Sequence, residues 1–94
     1  MYQINGKTYK LKEKYSLKDW GKILKLISSI NQADDITNQI IILISDDRLA
    51  DLLNTILDNP VEGEIYEDDF EEVNKIIRDF FSRKNGLMKN IGSP

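Results

Sequence analysis

The chain contains no cysteine and no histidine. Without cysteine there is no disulfide, no thiolate metal site and no thiol nucleophile. Without histidine the usual general base near neutral pH is missing, and so is the commonest transition-metal ligand. The five glycines are scattered singly, so no glycine-rich loop is available to cradle a phosphate. No serine stands in a nucleophile-elbow context. No apolar run approaches the ~18 residues of a membrane span, and the opening MYQINGKTYK lacks the apolar core of a signal peptide. These absences point to a cytosolic protein without enzymatic activity, with no cofactor and no membrane partner.

What is present is ordinary in amount and uneven in arrangement. The 94 residues are 40% hydrophobic and 31% charged, values that suit one small domain with a modest core over residues 1–94. The net charge of −3 conceals three blocks. Residues 1–31 carry seven lysines against Glu13 and Asp19, a net +5. Residues 32–72 carry thirteen acidic residues against Arg48, a net −12. Residues 73–94 carry five basic residues against Asp79, a net +4. Such blocks either neutralise one another within the fold or leave a bipolar surface that steers a partner.

The pattern along the chain is mainly helical. Asn5-Gly6 between short alternating segments predicts a type I′ β-hairpin over residues 2–12, with Ile4, Tyr9 and Leu11 facing the core. Ser16 and Asp19 form a capping box, and Tyr15 and Trp20 have hydrophobic-staple spacing. They open a helix over 17–30 whose apolar stripe runs through Leu17, Trp20, Leu24, Ile27 and Ile30, with Ile23 beside it. The aliphatic run Ile40–Ile44 suits a strand or a buried helix. A helix over 35–45, capped by Asp34 or Asp35, is favoured because the next element follows after a few residues and no second strand pair is evident. Leu49, Leu52, Leu53, Ile56 and Leu57 predict a third helix over 47–58, stopped at Pro60. Phe70, Val73, Ile77, Phe80 and Phe81 predict a fourth over 68–84, ended by Asn85-Gly86 and followed by a flexible tail over 85–94. The fold class is thus a mainly α bundle of about four helices over residues 17–84, with the hairpin packed on one end.

One stretch invites a metal. DNPVEGEIYEDDF, from Asp58, has the frame of an EF-hand loop: Asp58 at position one, Glu62 at five, Gly63 at six and Asp69 at twelve. Position three is Pro60, which has no side-chain oxygen, and Asp69 is a carbon shorter than the usual bidentate Glu. An acidic connector between helices is the favoured reading. A degenerate EF-hand-like module using Asp58, Glu62 and Asp69 stands as an alternative. A second alternative is a small nucleic-acid-binding regulator, since the lysine-rich start carries Tyr2, Tyr9, Tyr15 and Trp20. The acidic whole and the lack of arginine before Arg48 count against it.

The order of elements resembles the tail assembly chaperones of long-tailed bacteriophages. The likeness lies in the YQINGKTYKL hairpin, the lysine-studded helix after YSLKDW, the pair around IIILISDDRLADLLNTIL, the acidic turn and the closing EEVNKIIRDFFSRKN helix, over about residues 2–84. It implies a small, mainly helical, non-enzymatic protein of the host cytoplasm. Such a protein would bind the tape-measure protein, a long helical chain, and keep it soluble while the tail tube grows. Tape-measure protein or another helix-rich chain is therefore the expected partner, bound through an apolar groove bordered by charge. Leu53, Ile77 and Phe81 are the candidate anchors. A surplus apolar stripe would also allow a homo-oligomer, a two-fold dimer being the commonest form.

Overall fold

The computed structural model describes residues 1–30 and 35–92. Strands β1 (Tyr2–Ile4) and β2 (Lys7–Tyr9) pair antiparallel with Tyr2 opposite Tyr9. Asn5 and Gly6 both adopt positive φ, 54° and 77°, as a type I′ turn requires. Helix α1 (Leu17–Ile27) continues as a 3-10 turn, Ser28–Ile30. Helices α2 (Ile36–Ser45) and α3 (Leu49–Ile56) follow. A 3-10 turn at Glu67–Asp69 then leads into α4 (Phe70–Gly92). The fold is mainly helical with an N-terminal hairpin, as the pattern predicts.

The local signals act as expected at the helix starts. The Asp19 N–H donates to Ser16 Oγ at 3.0 Å and the Ser16 N–H to Asp19 Oδ2 at 3.4 Å. The staple rings of Tyr15 and Trp20 stand 5.6 Å apart, edge to face. Asp35 caps α2 by accepting from the Asn38 N–H at 2.8 Å; Asp34, the other candidate cap, lies outside the described residues. The aliphatic run is helical. Ile40 and Leu43 are fully buried while Ile41 and Ile44 are about half exposed, a three-residue spacing that a strand would not give.

Three expectations need correction. The buried face of α1 is centred on Ile23 and Ile27, while Leu17 and Leu24 are exposed. On a helical wheel Leu17 and Leu24 sit at the edge of the apolar arc, and the neighbouring elements cover the arc's other side. The hairpin lies along α4 rather than on the end of the bundle: the Gln3 N–H donates to Glu72 Oε2 at 2.9 Å and the Tyr2 hydroxyl to Asp79 Oδ2 at 2.5 Å. The chain after the hairpin also pairs with the end of α3. Leu11 bridges Leu57, the Lys12 N–H donates to the Ile56 carbonyl at 3.1 Å and the Asp58 N–H to the Lys10 carbonyl at 2.8 Å. Finally, α4 runs through Asn85-Gly86 to Gly92, so the tail expected over 85–94 is helical in backbone as far as Gly92. A single glycine costs a helix only about 1 kcal/mol, and the following Leu87, Met88 and Lys89 are good helix formers.

The core joins both strands and all four α-helices. Ile4, Tyr9, Ile23, Ile27, Ile40, Leu43, Leu52, Leu53, Ile56, Val73, Ile77 and Phe80 are among its buried members. The clasp between hairpin and α4 titrates. Burial, together with the Asp79 carboxylate it bonds, pushes the Tyr2 hydroxyl from its ordinary value of 10.0 up to about 12. The folded chain therefore holds this proton more tightly than the unfolded chain. The resulting stability is complete below pH 10 and is lost as pH rises through about 12. Tyr2→Phe should remove that part of the alkaline loss, so the two proteins' melting temperatures should converge between pH 9 and pH 12 in thermal melts. Parallel curves would show that the Tyr2–Asp79 bond carries no linkage.

Candidate functional site

A groove of about 490 Å³ lies between the α2–α3 corner, the connector after α3 and the start of α4. Its floor is apolar: Leu49, Val61, Ile65 and Phe70 are half-buried and Val73 is buried. Ile44 and Tyr66 stand at its mouth, 52% and 63% exposed. Ile41, one helical turn before Ile44, is 48% exposed and extends the apolar surface along α2. Asp47, Glu64 and Glu67 supply exposed carboxylates at the rim.

The wall is held open by the hairpin. The Asn5 side-chain amide donates to the carbonyls of Glu62 and Glu64, and Lys7 pairs with the Glu62 carboxylate. The Tyr9 hydroxyl accepts from the Glu62 N–H at 3.1 Å. The Val61 N–H donates to Asn54 Oδ1 at 2.8 Å. Gly63 takes φ +76° here, a conformation that suits glycine. On the opposite side Asp47 adopts φ 58°. Its N–H donates to the Ile44 carbonyl and the Arg48 N–H to the Leu43 carbonyl, which is the Schellman closure of α2. Glycine or asparagine usually fills that position, and aspartate there costs about 1 kcal/mol.

The acidic connector does not gather its carboxylates. Asp58 Oδ1 accepts from the Lys10 N–H at 3.2 Å, and Glu62 is turned to Lys7. Asp69 lies in the 3-10 turn that opens α4. Among the described residues no three acidic side chains are grouped to hold a metal ion. The aromatic rings of the lysine-rich start are not displayed beside its lysines. Tyr9 is buried. The Tyr15 and Trp20 rings pack on Phe80 at 5.6 and 5.7 Å. Arg83 lies over the Tyr15 ring, 4.9 Å from its centroid. These rings are committed to the core rather than displayed for stacking bases.

Of the three candidate anchors, Leu53 and Ile77 are fully buried and cannot contact a partner without unfolding. The periodicity that marked them as apolar also marks them as core, because each lies at the centre of its helix stripe. Phe81 is half-buried at the edge of the aromatic cluster, 6.0 Å from Phe80, and does not line the groove. The outward apolar residues at and beside the groove are Ile41, Ile44 and Tyr66. Ile41 and Ile44 were visible in the sequence as an aliphatic run too long for one buried face. Tyr66 gave no such signal. Among the described residues no helix is long and apolar enough to cross a membrane. The sequence matches no protein-family model, no curated protein and no solved structure.

Proposed function

We propose that this chain is a non-enzymatic, chaperone-type interaction protein that shields an apolar helix of a partner in the acid-rimmed groove. In its specific form the partner is the tape-measure protein of a long-tailed bacteriophage, held soluble in the host cytoplasm during tail assembly. The observation that carries the reading is the groove: an apolar floor open to solvent, continued by Ile44, Tyr66 and Ile41 and bordered by carboxylates. Such a surface suits an amphipathic helix laid along it. Its charged border would set register and association rate more than affinity. The tape-measure assignment rests on the resemblance in element order.

Co-expression with a tape-measure fragment tests it. The fragment should become soluble with the wild-type chain and stay insoluble with Ile44→Asp or Tyr66→Ala, both exposed positions whose substitution leaves the core intact. An unchanged soluble fraction, or rescue that both variants preserve, would refute the proposal. The neighbouring reading frames give an independent check: a long coiled-coil frame among tail genes is expected. Affinity for nucleic acid that falls steeply with salt would instead favour the regulator class.

A further inference from the structure

We propose that the exposed face of α1 docks on the acid-rimmed groove of a second copy of this chain, giving head-to-tail self-association. Leu17 is 88% exposed and Leu24 is 43% exposed. With Gly21 they form one line along α1 at positions i, i+4 and i+7. Lys18, Lys22 and Lys25 form the adjacent line, and all three are exposed. Gly21 is the telling member. It sits inside the helix, where glycine costs about 1 kcal/mol relative to alanine, yet a Cβ built there would meet nothing within 4 Å. Among the described residues no contact accounts for it. A glycine on a helix surface lets another backbone come close, and the two leucines beside it supply apolar area for that contact.

The occupant follows from charge. An apolar line flanked by lysines complements an apolar floor rimmed by Asp47, Glu64 and Glu67. No residue of α1 lines the groove, so the two surfaces are separate patches of one chain and meet between copies. The contact is then heterologous, and repeating it builds rings or open chains rather than the two-fold dimer expected from sequence. An eleven-residue helix is about 16 Å long, so the interface is at the small end of specific ones and the association is weak and reversible. It uses the same groove as the proposed partner helix, which makes the two occupants competitors. The test below needs only the purified chain, so its outcome is separate from that of the tape-measure reading.

Sedimentation velocity of the full chain over a rising concentration series should show reversible growth beyond the monomer, weakened by salt as exposed charge pairs are screened. Gly21→Gln should raise the melting temperature, by replacing an unfavourable helix residue, and weaken self-association at least about tenfold by blocking close approach. Glu64→Lys with Glu67→Lys should weaken it similarly. Mixing that protein with one carrying Lys18→Glu, Lys22→Glu and Lys25→Glu should restore assembly, since each surface again finds its opposite. A chain that stays monomeric at the highest concentration overturns the proposal. So does self-association that survives either the Gly21→Gln or the groove variant unchanged, or failure of the mixture to assemble.

Discussion

Phe80→Ala should lower stability by about 3–5 kcal/mol, the cost of emptying a buried aromatic site. Phe80 is fully buried and is the hub of the aromatic cluster: Tyr15 meets it edge to face, Trp20 stacks on it with a 27° interplanar angle, and Phe81 leans against it. The rings belong to α4, α1 and the segment before α1, so the cavity would open where three parts of the chain meet. Small domains lose roughly 4–8 °C of melting temperature per kcal/mol, so a fall of about 15–30 °C is expected, enough to leave much of the chain unfolded at physiological temperature. Urea titration followed by the fluorescence of Trp20, the sole tryptophan, reads both the stability and the loss of its stacking partner. Phe81→Ala, at a half-buried site, should cost clearly less. Equal costs for the two would mean that the aromatic cluster has no centre at Phe80.

Arg48→Ala should cost about 1–2 kcal/mol, toward the lower part of the range for hydrogen bonds from charged groups because the side chain is only half-buried. Arg48 is the one basic residue among thirteen acidic ones in residues 32–72, which invites the thought that it neutralises them. Its guanidinium instead donates to the carbonyl of Lys25 at 3.0 Å and of Leu26 at 3.5 Å, and to Ser28 Oγ at 3.4 Å. Those carbonyls lie in the last turn of α1, where the Lys25 carbonyl also accepts from the Ser28 N–H, and a cation there complements the helix dipole. Arg48→Lys should recover only part of the loss, because an ammonium cannot spread its donors as the planar guanidinium does. Thermal melts of the three proteins decide it. A melting temperature unchanged in Arg48→Ala would remove the capping role.

Features carried by neighbouring residues were legible in the sequence. Asn5-Gly6 specifies its turn by the positive φ it tolerates, and Ser16 with Asp19 closes a helix start over three residues. Pro60 keeps helix out of Asn59. Features that depend on what covers a surface were not legible. Periodicity gives Leu17 and Ile23 nearly equal claims to the core of α1, and only the packed neighbours settle that Ile23 is inside. The same ambiguity made Leu53 and Ile77 candidate anchors, since an apolar residue carries no mark of whether its neighbour is this chain or another. The pairing of Leu11 with Leu57 crosses more than forty residues and leaves no local trace. Ile44 was readable as apolar and Asp47 as acidic. Their meeting at one groove follows from the turn between α2 and α3.

The clasp between the hairpin and α4 has a consequence for synthesis. Tyr2 bonds Asp79, Gln3 bonds Glu72, and Arg83 donates to the carbonyls of Lys12 and Glu13. The hydroxyl of Tyr15 donates to the carbonyl of Ile56. A ribosome makes Tyr2 and Gln3 respectively 77 and 69 residues before Asp79 and Glu72. The hairpin is too short to persist alone, so it must wait for its contacts with Glu72 and Asp79 until α4 has left the exit tunnel. Docking of the hairpin is thereby deferred until α4 has been made.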